Sequence, residues 1–367
     1  MKIPFVDLQA QYQLIKEEID SAVSRVIAET AFVRGKYVSE FENEFAKVYG
    51  VEHCISCGNG TDALYITLKA LGIGPGDEVI TTAMSWISTS QTISQTGAKV
   101  VFVDVDQNFF TLDPLRIEEK ITEKTRAIVP VHLYGQAADM ERIMAIANSK
   151  GLFVIEDCAQ AHFATFRDKK VGTFGVAGAF SFYPGKNLGA YGDAGAIVSC
   201  DEKFSVRARM FANHGSLVKH QHEIEGINSR LDGLQAAILS VKLHYIEKWN
   251  EQRRDLGKLY DQLLTGINGV LLPKVREGSE HVYHLYVIQV DSRDELSKYL
   301  RNEGIETGIH YPVALPYLNA YRYLHHGPEE FPLAYTYQSK ILSLPMYPEL
   351  TFDMVDFVAQ AIRQYYR

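Results

Sequence analysis

The central run of this sequence reads Ala179-Phe180-Ser181-Phe182-Tyr183-Pro184-Gly185-Lys186-Asn187-Leu188-Gly189-Ala190-Tyr191-Gly192-Asp193-Ala194-Gly195-Ala196. It places one lysine, Lys186, among small, aromatic and uncharged residues, and the nearest carboxylate in sequence is that of Asp193. Burial in such a setting disfavours the ammonium form, lowers the amine pKa and frees the lone pair for attack on an aldehyde. Lys186 is therefore a candidate nucleophile. The alternative interpretation is a lysine in a glycine-rich turn.

A second polar group follows a short apolar strand upstream of this lysine, in the run Leu152-Phe153-Val154-Ile155-Glu156-Asp157. Polar residues at the carboxyl ends of strands in open α/β sheets face the ligand crevice. There, Asp157 could keep the ring nitrogen of pyridoxal phosphate (PLP) protonated, and the protonated ring makes this cofactor an electron sink. Taken alone, an acid at a strand end is explained equally well as a helix N-cap.

Several runs together resemble the nucleotide-sugar aminotransferases of the DegT/StrS type: Glu156-Asp157-Cys158-Ala159-Gln160, Ser181-Phe182-Tyr183-Pro184-Gly185-Lys186 and Gly192-Asp193-Ala194-Gly195. The resemblance extends from Ile3 to Met346. It implies a PLP enzyme with the aspartate aminotransferase fold, of the α/β class. We expect a large PLP-binding domain over residues 1–245, which has a mostly parallel seven-stranded sheet sandwiched by helices. A smaller C-terminal α+β domain is expected over residues 246–367.

The resemblance also implies roles for individual residues. Lys186 would be the catalytic residue, and the cofactor would be held by Gly60, Thr61, Trp86, Asp157, Gln160, Ser181 and Asn228. Asn228 would reach the cofactor phosphate of the neighbouring subunit, which predicts a homodimer with shared active sites. Contacts to the sugar or the amino donor would come from Tyr183, Arg230, His310 and Tyr311.

A glycine loop between a predicted strand and a predicted helix reads Gly58-Asn59-Gly60-Thr61-Asp62-Ala63. Unpaired backbone N–H groups at such a helix start favour a phosphate. The run also satisfies G-x-G-x-x-A, so an NAD-linked oxidoreductase is the alternative from another class. The next strand ends in Ala83-Met84 rather than in the acid that binds a ribose, which favours the phosphate interpretation.

Trp86 follows that strand, where an indole would stack on the cofactor ring or pack in the core.

The composition limits the classes of partner. A formal net charge of −8 over 367 residues argues against non-specific binding to nucleic acids or anionic membranes, so a phosphorylated ligand needs a local positive field. The sequence shows neither a signal peptide nor a run of about 18 apolar residues, and we expect a cytoplasmic protein without membrane contact. The four cysteines are too scattered for a disulfide framework. Neither Cys54 and Cys57 nor the histidines at 214, 220 and 222 complete a metal site, so no metal is expected.

The hydrophobic periodicity predicts helices over residues 9–29, 38–49, 113–121, 142–147, 204–211 and 293–303, and one that continues from the Asn228 turn to Trp249. Buried strands are predicted over residues 100–105, 127–132, 152–157, 196–200 and 284–290, and a strand end over 307–312. The alternation of strands and helices in the first part predicts a largely parallel sheet.

The resemblance implies transamination of a keto sugar linked to a nucleotide diphosphate, with an amino acid donor such as L-glutamate. The product would be an amino sugar for glycan or lipopolysaccharide synthesis. Some family members carry histidine in place of the lysine and dehydrate their substrate, so Lys186 argues for transamination. The run from Gly215 to Gln235 is nearest to enzymes that aminate carbon 3 of a dTDP-linked 3-keto-6-deoxyhexose. UDP-linked 3-keto sugars and amination at carbon 4 are alternatives, and a non-catalytic PLP-binding regulator is a rival of another class.

Overall fold

The computed structural model of the protein describes residues 1–367. Its α-helices are α1 (Leu8–Leu14), α2 (Lys16–Ala28), α3 (Lys36–Tyr49), α4 (Gly60–Ala70), α5 (Ser88–Gln95), α6 (Met140–Lys150), α7 (Glu202–Phe211), α8 (Gly233–Leu243), α9 (Ile246–Leu264), α10 (Arg293–Asn302), α11 (Pro332–Tyr337) and α12 (Phe352–Tyr365). Short 3₁₀ helices cover Pro114–Arg116, Glu118–Lys120, Leu133–Gly135, Leu315–Tyr317 and Asn319–Leu324.

The strands are β1 (His53–Cys57), β2 (Glu78–Thr82), β3 (Lys99–Val103), β4 (Thr125–Val129), β5 (Phe153–Asp157), β6 (Thr165–Phe166), β7 (Lys169–Lys170), β8 (Ala177–Ser181), β9 (Gly195–Ser199), β10 (Val270–Leu271), β11 (Ser279–Glu280), β12 (Tyr286–Val290) and β13 (Ile341–Leu344). A seven-stranded sheet has the order β1-β9-β8-β5-β4-β2-β3. Strand β9 is antiparallel to both of its neighbours, and the other adjacent pairs are parallel. The mostly parallel seven-stranded sheet expected from the sequence is confirmed.

Helices cover both faces of this sheet, which explains why its strands are apolar runs rather than alternating ones. Apolar residues of α2, α3, α6 and α8 share one core cluster with the sheet, and those of α4, α5 and α7 share the other. Within the first cluster, Phe41 and Phe45 of α3 lie one turn apart and both contact Phe182, with ring centroids 5.5 and 5.4 Å away. This packing fixes α3 against the segment that leads into Lys186.

A second sheet of three strands, in the order β10-β12-β13, shares a further core cluster with α9, α10 and α12. A third small sheet has the order β11-β6-β7. Helix α9 begins at Ile246, the first residue of the predicted small domain. The division into residues 1–245 and 246–367 stays a prediction. No helix of the structure has both the length and the apolar character that crossing a membrane requires.

Several predicted elements differ from the observed ones. The helix predicted over residues 9–29 is broken at Ile15, whose φ of −124° and ψ of 19° are not helical. The helix over 113–121 is wrong because the chain there forms two 3₁₀ helices, of which the first starts at Pro114. Short 3₁₀ turns are common connectors, and hydrophobic spacing alone does not distinguish them from one α-helical turn.

Two further predictions fail where the chain changes direction. The helix expected to run to Trp249 ends at Leu243, and α9 starts after a break at residues 244–245. The strand end predicted over 307–312 forms only one isolated bridge, between Gly308 and Ser343. At residues 244–245 the apolar pattern continues across the break, because Leu243 and Ile246 belong to the same core cluster.

Candidate active site

The candidate active site lies where several strands of the large sheet end. Strand β1 ends at Cys57, β2 at Thr82, β5 at Asp157 and β8 at Ser181. The crevice beyond the carboxyl ends of parallel strands is the general place for a ligand in open α/β sheets. The loops that follow these strands carry most of the residues singled out from the sequence.

Lys186 lies in the loop after β8, and its backbone N–H donates a hydrogen bond of 2.8 Å to the Tyr183 carbonyl. Its side chain is partly exposed to the crevice and forms no ion pair with a carboxylate. Burial lowers the pKa of the Lys186 amine to about 8, and the charge of Asp157 opposes this shift. The neutral, nucleophilic form is therefore accessible near physiological pH, as the composition of its loop suggested.

Asp157 is 5% exposed and held by two hydrogen bonds. Its Oδ2 accepts from the Thr89 hydroxyl at 2.8 Å, and its Oδ1 accepts from the Ala159 N–H at 3.1 Å. Burial raises the pKa of the Asp157 carboxyl, and these two hydrogen bonds oppose the rise, followed by the charge of Lys186. The carboxylate is therefore fixed in orientation and still sensitive to a cationic partner in the crevice.

The glycine loop leads directly into α4. Asn59 is the N-cap, and its side chain accepts from the Asp62 N–H at 2.8 Å. A Cβ at Gly60 would lie 2.5 Å from the Cβ of Ser181, so only glycine allows the start of α4 to approach the end of β8 this closely. The Thr61 hydroxyl lies 2.7 Å from that of Ser88 at the start of α5. Glycine backbone and several hydroxyls thus come together at one helix start, as an anionic phosphate requires.

Aromatic side chains line another side of the crevice. Trp86 is 59% exposed, and its ring lies 5.6 Å from that of Tyr311 at an angle of 44°. The Tyr311 hydroxyl accepts a hydrogen bond of 3.0 Å from Nε2 of Gln160, whose Oε1 accepts from the Tyr134 N–H at 2.6 Å. Both ends of the Gln160 amide are therefore engaged by this chain. Tyr183 is 59% exposed, in the same loop as Lys186.

His310 lies near Lys186, and its Nδ1 is 2.9 Å from the Ser343 hydroxyl. Burial and, to a smaller extent, the charge of Lys186 lower the pKa of His310 to about 4. This histidine is therefore neutral at physiological pH and can hydrogen-bond a ligand without adding charge.

Asn228 and Arg230 do not join these residues within one chain. Asn228 is exposed and pairs with Asn213 through the backbone. The buried Ser229 between them accepts from the Gly58 N–H at 2.9 Å and donates to Asp62. Arg230 lines a separate cavity. Their positions leave them available to a neighbouring subunit, and that role stays a prediction.

Sequence reasoning missed residues that complete the site. Thr89 and Ser88 belong to the hydroxyl-rich run from Ser85 to Ser90, which was interpreted only through Trp86. His162 is fully buried, lies 5.6 Å from the rings of both Phe180 and Phe182, and has no hydrogen-bond partner at either ring nitrogen. Burial lowers its pKa to about 3, and Lys186 contributes to the shift. In the sequence, only the position of His162 two residues after Gln160 indicates that it lies near the site.

Comparison with known proteins decides the family. The model of the DegT/DnrJ/EryC1/StrS aminotransferase family matches residues 13–363. The chain belongs to this family. A "Pleiotropic regulatory protein" of Geobacillus stearothermophilus is 45% identical, over 100% of this chain and 99% of that protein. A dTDP-3-amino-3,6-dideoxy-alpha-D-galactopyranose transaminase of Aneurinibacillus thermoaerophilus is 43% identical, over 99% of each chain.

Solved structures share the fold of this chain. Streptomyces venezuelae DesV in complex with a ketimine intermediate has a TM-score of 0.98 and 40% identity, and the match covers 100% of this chain and 99% of DesV. The Bacillus subtilis protein ntda with bound cofactor PMP has a TM-score of 0.89 and 32% identity, over 99% of this chain and 85% of that one. The present DegT/DnrJ/EryC1/StrS protein is a PLP-dependent aminotransferase.

The crevice of this DegT/DnrJ/EryC1/StrS protein fits PLP. It offers an amine with a lowered pKa, a carboxylate fixed by hydrogen bonds and an exposed indole. The start of α4 adds a glycine that tolerates no side chain, together with hydroxyl groups that can bind a phosphate. When bound, PLP supplies an electron sink for negative charge that develops on the substrate.

Proposed function

We propose that this aminotransferase transfers an amino group from L-glutamate to a keto sugar linked to a nucleotide diphosphate, with a dTDP-linked 3-keto-6-deoxyhexose as substrate. The product is an amino sugar for glycan or lipopolysaccharide synthesis. The observation that carries the proposal is the position of Lys186, with its lowered amine pKa, in one crevice with the fixed carboxylate of Asp157. Relatives named for dTDP-linked 3-amino sugars align over 99% of the chain and support the substrate class.

The residues of the chain take different roles according to their chemistry. Lys186 would hold PLP through its amine and, once released, would act as the general base and acid that takes and returns a proton at the substrate carbon. Asp157 would keep the ring nitrogen of PLP protonated, and Trp86 would pack against the ring. Gly60, Thr61, Ser181 and the partner subunit's Asn228 would hold the phosphate, and Gln160 would bind the phenolic oxygen. Tyr183, Arg230, His310 and Tyr311 contact the sugar or the donor.

The proposal includes a cytoplasmic homodimer. Support comes from Asn228, which is exposed, and from Arg230, which is partly exposed and lines a separate cavity. Close to them in space, Phe32 and Val33 are 45% and 53% exposed, and Val33 pairs with Asp232 through the backbone. An apolar surface beside polar residues is typical of an interface. The division into a large and a small domain at residues 245 and 246 belongs to the same proposal.

Two alternatives remain within the family and one lies outside catalysis. Relatives named for UDP-linked 3-amino sugar transamination favour a UDP-linked substrate, and amination at carbon 4 is a further variant. The names "Pleiotropic regulatory protein" and "sensory transduction protein" among the relatives favour a PLP-binding regulator without turnover. The NAD-linked alternative is wrong, because the chain belongs to an aminotransferase family.

A visible spectrum with and without L-glutamate tests the proposed function. We expect the absorbance of the bound cofactor to convert to that of its pyridoxamine form, and a dTDP-linked 3-keto sugar to reverse the change. A UDP-linked sugar that reverses it faster identifies the first alternative. A cofactor spectrum that does not respond to glutamate identifies the regulator.

Lys186→Ala tests the assignment of the lysine. The variant should lose covalent retention of the cofactor after borohydride reduction, and peptide mapping of the wild type should find the label on Lys186. Lys150→Ala, at an exposed lysine of α6, is the matched control and should behave as the wild type. Turnover that persists in Lys186→Ala contradicts the assignment.

A further inference from the structure

The loop that carries Lys186 has few backbone hydrogen bonds of its own. No helix or strand lies between the end of β8 and the start of β9. From Tyr183 to Ala190, the backbone–backbone bonds are those from the Lys186 N–H to the Tyr183 carbonyl and from the Ala190 N–H to the Phe182 carbonyl, both 2.8 Å long. Contacts from side chains must therefore fix the position of the lysine.

Asn187, the residue after Lys186, supplies such contacts with its side-chain amide. It is 2% exposed. Its Nδ2 donates to Oδ1 of Asn250 on α9 and to the Val282 carbonyl, each at 2.9 Å. Because both protons of this nitrogen are used, the remaining atom, Oδ1, accepts from Nδ1 of His284 at 3.2 Å. The protein therefore engages every polar atom of the Asn187 side chain.

The hydrogen bonds continue beyond Asn187 into other parts of the chain. Asn250 is also 2% exposed, and its Nδ2 donates to the His162 carbonyl at 2.9 Å. Helix α9 is thus connected both to the lysine loop and to the loop after β5. Further along the lysine loop, the Gly189 carbonyl accepts from the buried Lys242 of α8 at 2.8 Å. Two helices therefore hold this loop from outside the sheet.

Four titratable groups lie close enough to Lys186 for their pKa values to respond to its charge: Asp157, His162, His284 and His310. Burial lowers the pKa of His284 well below its ordinary value, and the charge of Lys186 contributes to the shift. Like the other two histidines, His284 is therefore neutral at physiological pH. The amine has one carboxylate and three neutral imidazoles around it, so its exact place decides which of them it contacts.

We propose that Asn187 is a positioning residue for Lys186. Its amide fixes the lysine loop to α9 and to the segment between β11 and β12, so that the amine keeps its place near Asp157. The inference rests on the proposed role of Lys186, which must reach the substrate carbon to take and return a proton. Such a step depends strongly on geometry, and a misplacement of about 1 Å costs on the order of 100-fold in rate.

Asn187→Ala tests the inference in the PLP-loaded protein. Stopped-flow absorbance follows the conversion of the bound cofactor at several concentrations of L-glutamate. We expect the maximum rate to fall by about tenfold or more. The concentration of glutamate that gives half of this rate should change by less than about twofold, because Asn187 is buried behind the loop and does not bind the donor.

Tyr260→Phe is the matched control for the loss of a buried hydrogen bond. The Tyr260 hydroxyl donates to the Pro345 carbonyl at 3.0 Å, and the ring lies in the core cluster of the second sheet. The variant removes this bond without a change in the lysine loop. We expect it to keep the wild-type rate of conversion, which separates positioning of Lys186 from a general loss of stability.

The cofactor-free protein gives a readout that does not depend on turnover. Competitive labelling with acetic anhydride over a range of pH, followed by peptide mapping, measures the pKa of the Lys186 amine. Burial lowers this pKa to about 8. Asn187→Ala releases the loop and lets water reach the amine, so the pKa should move towards the ordinary lysine value of 10.5. Tyr260→Phe should label as the wild type does.

Asn250→Ala keeps the inference testable if Asn187→Ala does not fold. It removes one acceptor of the Asn187 amide and leaves the bond to the Val282 carbonyl. We expect a smaller fall in the rate of conversion. The double variant of Asn187 and Asn250 should be slowed by less than the product of the two single effects, because the two residues act through a shared bond.

Wild-type rates and an unshifted Lys186 pKa in the variants of Asn187 and Asn250 would overturn the inference. Equal effects of Tyr260→Phe would also overturn it, since they would show that any lost buried hydrogen bond has the same result. A wild-type protein whose cofactor does not respond to glutamate would instead contradict the proposed function. The labelling of the cofactor-free protein would still test Asn187 in that case.

Discussion

The Thr89 hydroxyl donates a hydrogen bond of 2.8 Å to Oδ2 of Asp157, although 68 residues separate the two in sequence. The Ser85 hydroxyl lies 2.8 Å from the same Thr89 oxygen, so hydroxyls connect the loop after β2 with the carboxylate at the end of β5. Thr89 is 1% exposed, and water does not replace it as a donor. The orientation of the Asp157 carboxylate therefore depends on the first turn of α5.

Thr89→Val removes this donor with little change in shape. We expect PLP to bind about tenfold more weakly, because the variant leaves a buried carboxylate oxygen without its partner. The hydrogen bond lowers the Asp157 pKa, so the variant raises it, and the loss of cofactor on acidification should begin at higher pH than in the wild type. Absorbance titrations at several pH values measure both effects. Thr89→Ser keeps the hydroxyl and should restore binding; identical curves for Thr89→Val and wild type would contradict the role.

The pKa of Lys186, lowered to about 8 by burial, predicts how the cofactor-free protein captures PLP. Only the neutral amine attacks the aldehyde, so the capture rate should rise with pH and level off above a midpoint near 8. Asp157 stabilises the ammonium form, and Asp157→Asn should therefore move the midpoint to lower pH. Stopped-flow absorbance follows the reaction. A midpoint close to the ordinary lysine value of 10.5 would show that the amine is solvated.

Glu156 is fully buried beside the site residue Asp157 and accepts four hydrogen bonds. They come from His132 Nε2 and from the N–H groups of Gly172, Phe174 and Gly175. Glu156→Gln should lower the free energy of unfolding by about 3 kcal/mol, because the amide nitrogen cannot accept and leaves buried donors unpaired. Urea unfolding measures the change. Glu119→Gln, at an exposed position, is the control and should lie within the error of the wild type.

Lys242 of α8 is fully buried, donates a hydrogen bond of 2.8 Å to the Gly189 carbonyl and lies 4.3 Å from the centre of the Tyr191 ring. Burial lowers its pKa from 10.5 to about 7. Between these values the unfolded chain keeps a proton that the folded chain has released, so this lysine makes stability rise with pH over that window.

Lys242→Met should remove that part of the pH dependence. The difference in unfolding free energy between wild type and variant is then expected to shift in favour of the wild type from pH 7 to pH 10. Denaturant unfolding at each pH measures it, and Lys248→Met at an exposed lysine provides the reference. A difference that stays constant with pH would show that Lys242 is charged in the folded protein throughout.

The sequence predicted those parts of the site whose chemistry depends on residues that are neighbours along the chain. A lysine in a small, uncharged loop, an acid at the end of an apolar strand and a glycine run at a helix start each carry their chemistry in neighbouring residues. The structure places Lys186, Asp157 and Gly60 accordingly, beyond the ends of β8 and β5 and at the start of α4. Two of the errors fell where the hydrophobic period continues across a break, at Ile15 and after Leu243.

By itself, the sequence determined the α/β class, the mostly parallel sheet and the chemistry of the lysine loop, because periodicity and residue type act over a few neighbouring positions. Tertiary structure alone decided which hydroxyl donates to Asp157, which groups hydrogen-bond to the Gln160 amide and which arginines share a cavity. Those contacts join residues that are far apart along the chain. Side-chain hydrogen bonds and unpaired charges depend on distances of a few ångström, and only the packed path of the backbone sets them.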